Sequence, residues 1–225
     1  VHEPLANRVA AVAALDEPTR RRVYEYVARR PGDDVGRDEI AEALGIPRAT
    51  AAFHLEKLLG EGLLDVSYQR RNGRSGPGAG RPAKLYRRSE RQVAVSLPER
   101  RYDLAGHLLA AALEESGRTG EPPQAALTSV ANQRGKELGE AAQDLLPTLE
   151  AHGFEPRVDG DQVVLGNCPF HTLARQHKRL ICGMNLDLLN GILTGLGNTG
   201  LTAHLDPQPG SCCVRLSRTA SSGSQ

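Results

Sequence analysis

Apolar and polar positions alternate along the chain in a way that predicts short helices first and a mixture of helices and hairpins later. "LANRVAAVAAL" (Leu5–Leu15) predicts an Ala-rich helix. Asp16 is placed to cap a second helix, which tolerates Pro18 in its first turn and turns Val23, Tyr26 and Val27 to one face. After a "PGDD" loop, "GRDEIAEALGI" predicts a third helix with Ile40, Ala43 and Leu44 apolar and Gly45 as its stop. A fourth helix begins at Pro47, is expected to bury Phe53, Leu55, Leu58 and Leu59, and closes at Gly62. Two strand-like pieces, Leu64–Gln69 and Ala83–Arg88, then flank a Gly- and Pro-rich tip expected to be mobile.

Val93–Arg101 has the composition of a linker, and "YDLAGHLLAAALEES" (Tyr102–Ser116) predicts an amphipathic helix carrying Leu104, Leu108, Leu109 and Leu113. A longer helix is expected from Gln124 to Leu146. Beyond Pro147 the period changes: "GFEPRVDGDQVVLGN" predicts a hairpin turning at Asp159–Gly160. "ICGMNLDLLNGILTGLG" predicts a helix with Leu186, Leu189, Leu193 and Leu196 at helical spacing, and "LTAHLDPQPGSCCVRL" a second hairpin about Asp206–Gly210. The expected class is therefore mainly α with an α+β part. Its divisions are residues 1–92, a winged helix-turn-helix domain; 93–146, linker and dimerisation helices; 147–217, an α+β domain with two β-hairpins; and 218–225, a disordered tail.

Charge sharpens this division. The chain of 225 residues has a net charge of +1, but residues 1–92 hold 17 basic and 13 acidic side chains and the remainder holds 11 and 14. Only the first part is suited to a polyanion. Within it, Ile40, Leu44, Ile46 and Phe53 are expected to lock the third helix to the fourth, leaving Arg48, Thr50, Ala51 and His54 outward and able to approach base edges. Between Tyr68 and Arg88 stand seven basic residues and no acid: Arg70, Arg71, Arg74, Arg81, Lys84, Arg87 and Arg88. If about five of them neutralise phosphates, log K falls against log salt by roughly 4 to 5 per protomer.

The segments "LDEPTRRRVYEYV", "RDEIAEALGIPRATAAFHLEKLLGEGLL" and "GRPAKLYR" together resemble the winged-helix domain of ArsR-type bacterial regulators. The resemblance implies that the helix after "GIPRATAAFHL" enters the major groove of double-stranded DNA. A homodimer is expected, with the amphipathic Tyr102–Ser116 helix as its dimer contact, and its two-fold symmetry would match a palindromic operator.

The four cysteines carry the remaining chemistry. "GNCPFHTLARQHKRLICGMN" holds Cys168 and Cys182, and "PGSCCVRL" holds Cys212 and Cys213. Cys182 is expected at a helix start, where unpaired N–H groups favour a thiolate. Strand parity groups Cys212 with Val214 and Leu216, making it the inward candidate, and Cys213 joins only if the strand begins irregularly. His171 stands in Cys-x2-His spacing with Cys168 and is a candidate fourth ligand. Buried small hydrophobes, a structural zinc, a redox pair and an iron–sulfur site all accommodate this pattern. "NCPFHTLARQHKRLICGMNLDLLNGIL" followed by "PGSCCVRL" resembles the sensor domain of SufR-type repressors. That resemblance implies an iron–sulfur cluster held by Cys168, Cys182 and Cys212, with Cys213 as a possible fourth ligand. The adjacent Cys-Cys pair and the additional histidine depart from that pattern.

No nucleophile elbow, Walker loop or His-Glu-x-x-His motif stands in the chain, and "GLGNTG" (Gly195–Gly200) ends a helix where a phosphate loop would open one. A regulator is expected, not an enzyme, with no small-molecule substrate. No apolar run is long enough to span a bilayer, and a reducing cytoplasm is the expected compartment.

Overall fold

In the computed structural model, which describes residues 3–69, 82–197 and 199–218, the chain divides between Val95 and Ser96 into two units. The first holds α1 (Leu5–Ala14), α2 (Pro18–Ala28), β1 (Val35–Gly36), α3 (Arg37–Leu44), α4 (Arg48–Gly60), β2 (Leu64–Gln69) and β3 (Ala83–Arg88). The cap of α2 is Glu17, not Asp16: its carboxylate accepts from the N–H groups of Thr19 and Arg20 at 2.9 and 2.6 Å. Those donors hold Glu17 below the usual carboxylate range. Gly45 ends α3 in the left-handed region (φ 64°), where a side chain would be strained.

Val23, Val27, Ile40, Leu55 and Leu58 form one core with Leu64 and Tyr86. β2 and β3 pair antiparallel from Leu64↔Arg88 to Gln69↔Ala83. Val35 and Gly36, the second of which the sequence places at the start of the third helix, form a third strand against Tyr86 and Leu85.

The second unit holds α5 (Tyr102–Thr119), α6 (Pro123–Glu140), α7 (Leu145–Ala151), β4 (Pro156–Asp159), β5 (Gln162–Leu165), α8 (His171–Gln176), α9 (Lys178–Gly195), β6 (Leu201–Leu205) and β7 (Val214–Arg218). Its antiparallel sheet has the order β4-β5-β7-β6. The described structure thus has the α+β layout expected, with helices dominant and two hairpins in the C-terminal unit.

Three expectations are corrected here. The single helix 124–146 is two, because α6 stops at Glu140 and α7 carries Pro147 in its first turn, where a missing N–H costs nothing. The first hairpin turns at Gly160–Asp161, since Asp159 already pairs with Gln162 and only Gly160 has a positive φ. α9 begins at Lys178, so Cys182 lies one turn inside it and its N–H belongs to the helical ladder.

α5 and α6 share the core of the second unit. Leu104, Leu108, Ala112, Leu127 and Ala131 pack in one cluster with Val163, Leu189, Val214 and Leu216. The apolar stripe of α5 is therefore largely internal, with Leu113 exposed. α6 and α9 run parallel at backbone contact. A Cβ added to Gly135, Gly139, Gly191 or Gly195 would collide with main-chain atoms of the opposite helix.

Candidate functional site

α4 buries Ala51, His54, Leu55 and Leu58, the spacing of one helical face. Residues two apart on a helix lie on nearly opposite sides, so Phe53 cannot share a face with Leu55. Phe53 is 57% exposed and His54 only 7%, while Ala51 is fully buried. The expected outward roles of Ala51 and His54 are corrected accordingly, as is the expected burial of Phe53. The outer face presents Arg48, Ala49, Phe53, Glu56 and Lys57, with Thr50 half-exposed. Arg48 sits 3.4 Å from Asp38 of α3, an exposed pair that phosphate would compete for. Phe53 and Lys57 stand on this outer face, as the 51–54–55–58 spacing of the buried positions requires.

The His54 ring lies inward, its Nδ1 3.4 Å from the Glu17 carboxylate that caps α2 and its ring edge-on to Phe53 with centroids 5.3 Å apart. Lys84 and the Tyr86 hydroxyl both donate to Glu56 Oε1, Tyr86 at 2.6 Å. These two donors hold Glu56 below the usual carboxylate range, and burial raises the Tyr86 hydroxyl above its own. Lys84 is therefore a strut between wing and α4. Ser67 and Gln69 of β2 donate to Asp34 at 2.7 and 2.9 Å, tying the other wing strand to the loop before β1. Arg87 and Arg88 are exposed. Arg70, Arg71, Arg74 and Arg81 lie outside the described residues.

A family model described as a helix-turn-helix domain matches residues 15–67. A helix-turn-helix domain supports DNA binding. The match spans α2 to β2 and supports a winged-helix transcription regulator. None of the curated proteins matches the chain. Among the described residues, no helix is long and apolar enough to cross a membrane.

Away from the helix-turn-helix domain, the four cysteines form two pairs within the second unit. Cys168 leaves β5 before α8, Cys182 lies in α9, and Cys212 and Cys213 directly precede β7. Cys182 and Cys213 are joined by a disulfide with Cα atoms 6.6 Å apart. Cys168 and Cys212 are free, buried thiols in hydrogen-bond contact with each other. That contact, the Phe170 N–H and the Arg100 charge hold Cys168 below the ordinary thiol range. The same contact and burial push Cys212 up. Cys212 is inward, as strand parity predicted. The backbone at both cysteines is held from outside the hairpin ladder, Cys212 N–H donating to the Leu165 carbonyl and the Cys213 carbonyl accepting from Asp206, each at 2.9 Å. Asn185, on α9, donates from Nδ2 to Cys212 Sγ at 3.3 Å.

Sequence reasoning missed the groups around Cys168. Arg100 Nη1 donates to the Asn167 side-chain oxygen and to the Cys168 carbonyl, the latter at 3.0 Å. Asn167 Nδ2 donates to the carbonyls of Glu99 and Gly153 at 2.9 and 2.6 Å, and the Arg101 N–H donates to the Pro169 carbonyl at 3.1 Å. The segment entering the second unit is thus bonded directly to the cysteine loop. Its linker-like composition carried no signal of this.

His171 meets Cys168 through its backbone N–H, 3.0 Å from the Cys168 carbonyl, while its side chain is exposed. Among the described residues, no group of three or more His, Cys, Asp or Glu is arranged to hold a metal ion. The residues as they stand therefore do not fit a bound metal: two cysteines are closed in a disulfide and two are free thiols.

Proposed function

We propose that the chain is an ArsR-type, homodimeric transcription regulator of the cytoplasm, acting as a repressor on a palindromic operator. Its affinity for DNA is set by the state of Cys168, Cys182, Cys212 and Cys213, as in SufR-like sensors. The observation that carries this reading is the presence, in one unit, of a Cys182–Cys213 disulfide and two buried free thiols, on a chain whose other unit matches a helix-turn-helix domain.

When bound, an iron–sulfur cluster would supply an oxidation-sensitive centre that cross-links the three cysteine segments. The chain's own residues supply the rest. In the reduced state the four side chains offer sulfur donors, with Arg100 adding positive charge beside Cys168. In the oxidised state Cys182 and Cys213 give up two electrons and two protons to an oxidant such as peroxide, forming a bond that withdraws both as ligands. The two states make exclusive use of the same sulfurs. Arg100 and Asn167 pass the position of the Cys168 loop to residues 99–101, the start of the second unit, and so to the spacing of the two wings on DNA.

Anaerobic purification of the full chain, followed by operator titration of the loaded, reduced metal-free and oxidised forms at one salt concentration, tests the proposal. A brown protein with visible charge-transfer absorption and form-dependent affinity supports it. Equal affinity for all three forms would falsify the sensing role. The disulfide favours a second reading, a thiol switch without metal, which predicts that a colourless, metal-free protein still changes affinity on reduction. A colourless, zinc-containing protein with constant affinity indicates a structural zinc.

A further inference from the structure

We infer that Phe53 is a sequence-reading residue of the DNA interface, its ring meeting the C5-methyl group of a thymine in the major groove. The inference rests on the DNA-binding reading of the first unit.

Of the three phenylalanines, Phe154 and Phe170 are fully buried in the core of the second unit, while Phe53 is 57% exposed. The outward side of a helix is ordinarily polar, and Phe brings no advantage in helix propensity there. Phe53 stands at the middle of the outer face of α4, four residues after Ala49 and four before Lys57. Ala49 and the half-buried Ala52 beside it carry only methyl groups, so no long side chain of α4 covers the ring from that side. Behind it, the edge-on His54 ring is buried and lies 3.4 Å from the Glu17 carboxylate, a fixed wall that leaves the phenyl ring less freedom to lose on binding. The surroundings suit a polyanion. Arg48 and Lys57 share the outer face, Arg87 and Arg88 are exposed on β3, and the one acid of α4, Glu56, is matched by Lys84. An apolar protein groove would strip water from those flanking charges, whereas phosphates would pair with them. A helix in the major groove finds one apolar group on the base edges, the thymine methyl, and an apolar side chain is its complement.

The test uses the full chain, reduced and oxidised, as wild type and Phe53→Ala. The wild type first selects a binding site from a random-sequence duplex pool. Each thymine of that site is then replaced in turn by uracil, which removes the methyl group and keeps the base pairing. At one thymine and its symmetry mate, uracil is expected to weaken wild-type binding about fourfold, the worth of one buried methyl group. Phe53→Ala is expected to bind thymine and uracil equally at that position, with an unchanged thermal midpoint. Three outcomes overturn the inference. In the first, the wild type selects a site but no uracil weakens it, which leaves the DNA-binding reading standing. In the second, the uracil effect keeps its full size in Phe53→Ala, which gives the methyl group to another side chain and the exposed ring to a protein partner. In the third, the wild type enriches no sequence from the pool, and the DNA-binding reading falls together with the inference.

Discussion

Arg100 donates from Nη1 to the carbonyl oxygen of Cys168 at 3.0 Å, and the same carbonyl accepts the N–H of His171 at 3.0 Å. One peptide oxygen of the cysteine loop therefore joins the entry segment of the unit to the start of α8. Asn167, buried beside it, serves Glu99 and Gly153 as donor and Arg100 as acceptor. Replacing Asn167 with Ala removes the donor to the Gly153 carbonyl and one of two to the Glu99 carbonyl, which Arg100 Nη1 also reaches at 3.2 Å, and should cost about 1–3 kcal/mol of stability, read by chemical denaturation of the reduced chain. Operator affinity in this variant should also stop responding to oxidation. A variant that responds as the wild type does would remove residues 99–101 from the route.

The two faces of α4 predict opposite phenotypes. Arg48→Ala should weaken DNA binding with an unchanged thermal midpoint and reduce the salt slope by about 1. Phe53→Ala, on the same exposed face, should likewise leave the fold intact. His54→Ala should instead lower stability by about 1–3 kcal/mol, because it empties a buried position against the α2 cap. Paired thermal and DNA-binding measurements separate the two classes, and the assignment fails if His54→Ala melts like the wild type.

Backbone contact between α6 and α9 makes their glycines intolerant of a methyl group. Gly191→Ala would press its Cβ onto the Asn132 carbonyl and the Gly135 Cα, and Gly135→Ala onto the Leu188 carbonyl. Each should cost about 1–3 kcal/mol or more through forced separation of the helices. Gly117→Ala in α5 meets nothing within 4 Å and should gain up to about 1 kcal/mol from helix propensity. Melting curves of the three variants check the contrast.

Glu56 supplies a pH dependence with a definite sign. Its folded value is depressed by Lys84 and Tyr86. A depressed carboxylate adds stability that is fully present above its unfolded value, about 4.3, and is lost as pH falls through the folded value. Glu56 is mostly exposed, so solvent screening keeps the effect small. The thermal midpoint of Glu56→Gln should lie below that of the wild type at neutral pH and converge with it in acid. Parallel curves across that range would show that the strut adds nothing to stability.

The wing strands Leu64–Gln69 and Ala83–Arg88 were legible in sequence to the residue, because alternating side chains and a Gly/Pro-rich break between them leave little choice of register. The face of α4 was less so: apolar Phe53 was assigned to the core by type, when the 51–54–55–58 spacing had already filled that face. At the cysteine site, parity placed Cys212 inward, but the pairing of Cys182 with Cys213 had no sequence signal, since it joins α9 to the lead-in of β7 across 31 positions. Asn185, Asn167 and Arg100 were invisible as a group for the same reason.

The sequence by itself determined the local elements, the basic character of the first 92 residues and the identity of the sulfur donors, because propensity, period and charge act over a few neighbouring residues. Tertiary structure alone decided which sulfurs touch, and that the linker-like residues 99–101 are bonded to the Cys168 loop. These are contacts between segments far apart in the chain, set by how helices and sheet fill a common core and by where buried polar groups find partners.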